Sequence, residues 1–322
     1  IHLHSVLKEH AQVAELVDAL VSNTNEVTLV PVRPRSWVPK SNAVSKKHSL
    51  QITTIDGLTM AVDLFIPELG DGPFPLLVYG HGFKGFKDWG FVPHLHEFFE
   101  AHNTAIITFN HTHNGVQASD FDDLDHFARN TVTQELRDME SLAKWVKQES
   151  NTYNLQGHSI SWLGHSRGGA NAIVFASLHP DYVHKVMAWA PVADYFHLFR
   201  GLDIETWKKE GRTFLTNTRT KQEMPLDYVV YEDLESHDEY NVIDAARALG
   251  RPLLLLHGDA DQVVPISHSR SIHSSCLHAM MQTVEGADHT FNCSHPCSGP
   301  EEFSEALWLA MDATQTFLES DF

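Results

Sequence analysis

The stretch Ser159–Leu178, SISWLGHSRGGANAIVFASL, narrows the folds open to this chain more than any other. It begins as an apolar strand, SISWLGHS, and continues from Gly168 to Leu178 as a helical apolar run. A strand that passes directly into a helix needs a sharp turn, and G-x-S-x-G at Gly164-His165-Ser166-Arg167-Gly168 supplies one. Ser166 is expected at its apex in strained backbone geometry. Gly164 and Gly168 keep side chains out of the crowded space beside it, and Gly169 lets the helix pack close to the sheet. The turn lifts the hydroxyl clear of the sheet, next to a helix N-terminus whose dipole favours developing negative charge.

The flanking sequence fits that junction. SLQITTI and TMAVDLFIP flank Asp56-Gly57, a hairpin signal. FPLLVYGHG, TAIITFN, KVMAWAPV, RPLLLLHG and AMMQTVEGADH read as further strands. Val132, Leu136, Met139, Leu142 and Val146 share one face of a helix over 131–149, and a last helix is expected near 301–318. Strands alternating with helices predict an α/β fold with a mostly parallel sheet covered on both faces. Residues 193–245 show no strand signal and predict a small helical cap over the carboxyl edge of the sheet.

The first forty residues read differently. Val13, Leu16, Val17, Leu20 and Val21 would make an apolar helical face. Yet residues 11–39 resemble the conceptual translation of a bacterial leucine transfer-RNA gene. With suitable codons AQVAELVDA writes the acceptor end and VPVRPRSWVP a self-complementary T-arm. Residues 1–43 are therefore expected to be a non-native or disordered extension, with a natural start at a GTG codon for Val44. The folded α/β domain is expected over 44–322, with its cap at 193–245.

Composition excludes some functions. A formal charge of −19 argues against a nucleic-acid surface, which needs clustered Lys and Arg. No apolar run approaches the roughly 18 residues of a membrane span. Three cysteines, Cys276, Cys293 and Cys297, do not make a disulfide framework, so a reducing cytoplasm is expected. CSHPC at Cys293–Cys297 would lack a fourth ligand for zinc, and neither a metal nor a cofactor is expected.

A serine hydroxyl needs a base, and the base an orienting carboxylate. With 23 histidines in the chain, position has to discriminate among them. LLLLHGDADQVVP ends one strand and supplies Asp259 and Asp261, and VEGADHTF ends the last and supplies His289. Both lie at carboxyl ends of strands, where open α/β sheets place their sites.

From about residue 48 onward the chain resembles an α/β-hydrolase, closest to bacterial esterases grouped with dienelactone hydrolases and serine aminopeptidase-like proteins. The resemblance covers G-x-S-x-G, the H-G-x-x-D-x-x-V-P pattern at His257–Pro265, D-H-x-F at Asp288–Phe291 and the HGF of YGHGFKGFKDWGF. It implies Ser166 as nucleophile, Asp261 rather than Asp259 as acid, and His289 as base, with Asp288 a surface neighbour. It also implies an oxyanion hole formed by the backbone N–H groups of Phe83 and Arg167, so that Arg167 acts through its amide rather than its charge. HGF departs from the HGGG of the lipases. His81 is expected to support the loop, and His111 and His113 either to line the pocket or to pack. Of Phe83, Phe86, Trp89, Phe91 and Phe98, some would form an acyl pocket, with Phe98 in the core. The implied activity is hydrolysis of small-molecule carboxylic esters through an acyl-enzyme. A peptidase or amidase with the same residues, holding a peptide terminus by cap carboxylates among Glu232, Asp233 and Glu235, is the alternative, followed by an acyltransferase.

Overall fold

The computed structural model describes residues 26–28, 45–217 and 220–321, for 26–28 the backbone alone. Its strands and helices, in chain order, are β1 (Glu26–Thr28), β2 (Ser45–Thr53), β3 (Thr59–Pro67), β4 (Phe74–Gly80), α1 (Leu95–Glu100), β5 (Ala105–Phe109), α2 (Leu124–Phe127) and α3 (Val132–Glu149). There follow β6 (Leu155–His165), α4 (Arg167–Leu178), β7 (Val186–Trp189), α5 (Ile204–Glu210), β8 (Arg212–Thr216), β9 (Glu223–Asp227) and α6 (Val229–Glu235). The chain closes with α7 (Val242–Ala248), β10 (Leu253–Gly258), α8 (Ser267–Ser275), β11 (Ala279–Val284) and α9 (Glu305–Glu319).

Nine strands form one sheet in the order β1-β11-β10-β7-β6-β4-β5-β3-β2. Only the β2–β3 hairpin and the β3–β5 pair are antiparallel; the other neighbours run parallel. This is the α/β-hydrolase fold. The continuous apolar runs of the central strands have a simple cause, since both faces are buried. In β4, Leu76 and Val78 enter the core on one face, while Leu77 and Tyr79 enter the core on the other. In β10, Leu253 and Leu255 alternate in the same way with Leu254 and Leu256. The predicted stripe of α3 lies in the first core with α4, and α1 and α9 cover the second.

The cap departs from the all-helical expectation. Within 193–245, β8 and β9 form a two-stranded antiparallel sheet between α5 and α6. Arg212 pairs with Asp227 at 2.5 Å at one end of this hairpin and Thr216 donates to Glu223 at the other. These cross-strand polar pairs support a pairing that hydrophobic periodicity does not reveal. The cap is docked on the end of α2 and the start of α3: Asp227 N donates to Ala128 O at 2.8 Å, and Asp233 accepts from Thr133 N and Oγ1 at 3.1 and 2.6 Å.

The N-terminal apolar helix and most of the stretch resembling a transfer-RNA gene lie outside the described residues. Glu26–Thr28 alone is described there, as a short strand parallel to β11. Among the described residues no helix is long and apolar enough to cross a membrane.

One buried cation fixes the end of α9. Lys185, 1% exposed, donates from Nζ to the carbonyls of Phe317 and Leu318 and to the carbonyl and hydroxyl of Ser320. It supplies donors where a helix C-terminus lacks them, and positive charge where the dipole is negative. Lys185→Met takes this donor from the carbonyls of Leu318 and Ser320 and leaves that of Phe317 to Ser320 alone. It is expected to cost on the order of 1–3 kcal/mol in urea unfolding, with the m-value unchanged.

Candidate active site

The elbow forms because backbone meets backbone there. A Cβ on Gly164 would lie 2.0 Å from Gly168 O, and one on Gly168 would lie 2.4 Å from Gly80 O and 2.5 Å from His81 O. Neither neighbour is a side chain that could move aside. Gly169 faces Pro191 Cβ and Gly164 O at 3.1 Å, which accounts for the close packing of helix on sheet. Between these glycines Ser166 adopts φ 57° and ψ −119°, a left-handed conformation rare for a residue with a side chain. Its N–H donates to Trp189 O at 2.8 Å, and its carbonyl accepts from Gly169 N at 3.0 Å.

The loop after β4 runs directly against this turn. A Cβ on Gly82 would lie 3.0 Å from Ser166 Cβ and 3.6 Å from Arg167 N. Gly85 N donates to Gly82 O at 2.9 Å and closes the loop. His81, 3% exposed, braces it: Nδ1–H donates to Gly82 O at 3.0 Å, and Nε2 accepts the His111 amide at 3.3 Å. These partners fix the neutral Nδ1–H tautomer. Burial, reinforced by His111 nearby, pushes the His81 pKa down to about 3.

Asp261 lies just beyond β10. Its Oδ1 accepts from Val263 N and Val264 N at 2.8 and 2.9 Å. Its Oδ2 accepts from His289 Nδ1 at 2.7 Å, with His257 Nε2 at 3.2 Å. Burial works against the carboxylate, and the bonds from His257 and His289 overcome it, holding Asp261 well below the usual carboxylate range. With Nδ1–H directed at Asp261, the His289 Nε2 is left as an acceptor. The His289 carbonyl accepts from His165 Nε2 at 2.7 Å, and the two rings lie 4.8 Å apart. The residue before Ser166 thus ties the loop after β11 to the elbow.

The structure therefore gathers Ser166, Asp261, His289, Phe83 and Arg167 at the carboxyl edge of the sheet. Asp259 is exposed and accepts from Gly286 N at 2.6 Å, a turn residue as expected. Asp288 is exposed and accepts from Thr290 N and Asn292 N, shaping the loop that carries His289. His111 is buried and packed on Phe109 and His81. His113 packs edge-on to His126. Phe86, Phe91 and Phe98 are buried, whereas Phe83 is partly exposed and packs on Phe127 at 5.5 Å and Phe199 at 6.5 Å. His295 of CSHPC accepts from Gly90 N at 2.7 Å and stacks on Trp89. The cysteines are free.

Two features of the site escaped the sequence reading. His257 contacts the Asp261 carboxylate, whereas in the sequence it stood only as the first residue of the H-G-x-x-D-x-x-V-P pattern, with no part assigned to its side chain. Glu135 and Asp138 are buried on α3, and their positions three residues from Val132 and from Glu135 put them beside its apolar stripe.

Comparison with known proteins adds the family. The BD-FAE family model matches residues 62–276. Serine hydrolase BPHL from Mus musculus is 23% identical over 269 residues, spanning 78% of this chain and 86% of that protein. The structure of Est1E from Butyrivibrio proteoclasticus with ferulic acid bound is similar with a TM-score of 0.66 at 19% identity, covering 84% of this chain and 98% of that one. The esterase domain of a Rhodothermus marinus protein is similar with a TM-score of 0.58 at 18% identity, covering 85% and 98%.

The His81 geometry has a pH consequence. The unfolded chain binds a proton on this imidazole near pH 6.5, while the folded chain resists until far lower. Stability is therefore complete above about pH 6.5 and is lost as pH falls toward 3, by roughly 1–2 kcal/mol between pH 6.5 and 5 from this group. Urea midpoints across that step should fall less in His81→Gln; an identical fall would exclude His81 as a source.

Proposed function

The chain belongs to the BD-FAE family, within the α/β-hydrolase superfamily, and from that premise we propose that it is a serine hydrolase of carboxylic esters. The observation that carries this reading is the Asp261–His289 bond beside a strained Ser166 elbow. In this reading His289 Nε2 accepts the Ser166 proton as Oγ attacks the ester carbonyl. The oxyanion that forms is received by the amides of Phe83 and Arg167, the first of the loop after β4 and the second of the helix N-terminus. His289 returns the proton to the leaving alcohol. Water, activated by the same imidazole, then releases the acid.

The partly exposed Phe83, with Phe127 and Phe199 behind it, gives the site an aromatic wall. Est1E, which resembles this chain in fold, has been seen with ferulic acid bound. Together they favour acyl groups carrying an aromatic ring. The peptidase alternative loses one of its supports, because Asp233 is already bonded to Thr133. Glu235 likewise accepts from Tyr228.

Three measurements test the proposal. Ser166→Ala should lower ester turnover by at least roughly 10³-fold and abolish fluorophosphonate labelling, with the thermal midpoint held or raised. Asp261→Asn should lower kcat by roughly 10³- to 10⁴-fold through the wrong tautomer of His289. Aryl esters should be cleaved far faster than aminoacyl anilides; the reverse order would replace esterase by peptidase.

A further inference from the structure

We propose that the Arg167 side chain is a positioning residue for the oxyanion site: its guanidinium, anchored by buried Glu135, holds the Phe83 ring and so aligns the two amides that receive the oxyanion. This rests on the hydrolase reading above. It adds to the amide of Arg167 a role for its charge.

The geometry is specific. Both side chains are 1% exposed, with Nε of Arg167 2.9 Å from Oε2 of Glu135. One Nη donates to Asn130 O at 2.9 Å. Glu135 is held in turn, accepting from Asn130 Nδ2 at 2.7 Å and from Asn171 Nδ2 at 2.5 Å. Asn171 Oδ1 accepts from the Tyr195 hydroxyl at 2.7 Å. The five residues come from the loop before α3, from α3, from the elbow helix α4 and from the root of the cap. The guanidinium carbon lies 5.6 Å from the Phe83 ring centroid, within cation–π range.

Stability alone does not explain such a pair. Apolar side chains of similar volume at positions 167 and 135 would fill the space at equal or lower cost. What they would lack is a planar, always-charged fork in a fixed plane, on which a ring can lie. Phe83 is the residue whose ring the guanidinium carbon lies over, and whose amide the hydrolase reading assigns to the oxyanion. Burial is the largest influence on the Glu135 carboxylate and opposes its charge, but Arg167 and the other groups around it, the Asn171 bond among them, together outweigh it, so Glu135 stays ionised and the fork keeps its anchor.

The test separates positioning from packing. Arg167→Met/Glu135→Met removes both charges, and Arg167→Lys keeps the charge without the fork. Each is assayed for thermal midpoint, for kcat and KM on an aryl ester, and for inhibition by a trifluoromethyl ketone that forms a tetrahedral adduct. The double variant should fold with a midpoint near wild type and lose roughly 10- to 100-fold in kcat. KM should stay within about threefold, and ketone inhibition should weaken in step with kcat/KM. Arg167→Lys should lose roughly tenfold in kcat. A folded double variant with wild-type kcat overturns the proposal, and if that variant does not fold, a fully active Arg167→Lys does so. Turnover surviving Ser166→Ala would instead sink the hydrolase reading itself, so the two failures are distinct.

Discussion

The architecture hangs on two places where main chain touches main chain with no room for a Cβ. Gly164 meets the carbonyl of Gly168, and Gly168 meets the carbonyls of Gly80 and His81. These contacts bring the ends of β4 and β6 and the start of α4 within a few ångströms of one point. They also hold Ser166 at positive φ. Such a backbone persists only where its surroundings over-determine it. Here they do: Ser166 N is bonded to the neighbouring strand at Trp189, and the turn carbonyl to the helix at Gly169. The parallel sheet that makes the continuous apolar strands also supplies the rigid edge on which the elbow stands.

The second half of the site depends on a buried negative charge. Asp261 sits in an environment that would neutralise an isolated carboxyl, yet two backbone amides and two histidines converge on it. His257 is bonded on its other side to Ser269 at 2.7 Å, which fixes the ring that faces the acid. Hydrogen bonds to the charged form offset desolvation, and the carboxylate can then orient His289 without taking its proton. Because His165 reaches the carbonyl of His289, Asp261, His289 and the elbow form one bonded unit.

The fold was legible because its signals are periodic. Val132 to Val146 repeat at helical spacing, β10 opens with four consecutive leucines, and G-x-S-x-G marks the strand-to-helix junction. The residues gathered at the sheet edge were legible for a related reason: each stands at the end of a strand, in a turn whose composition is forced. The β8–β9 hairpin was not, because Arg212, Thr216, Glu223 and Asp227 pair by charge and hydroxyl rather than by apolar alternation. Glu135 was hidden for the opposite reason. A charged residue on a helix is ordinarily read as solvent-facing, and only its partner 32 positions on, Arg167, explains why it is buried.

That buried pair also bears on how the cap communicates with the site. Burying two charges is costly unless each remaining donor and acceptor is matched. Around Glu135 the matching comes from Asn130 and Asn171, the Asn130 carbonyl takes one Nη of Arg167, and Tyr195, which donates to Asn171, begins the segment that leads from β7 into the cap. Burial raises the Tyr195 pKa well above its usual value, so the phenol stays a donor. Phe199, one turn later in the same segment, packs against both Phe83 and Trp207. The cap is thus joined to the loop after β4 by a polar route through Asn171, Glu135 and Arg167 and by an aromatic one through Phe199. A shift of the cap that broke either route would leave a polar group unmatched or an aromatic face exposed, so both routes favour the docked position of the cap against the loop after β4.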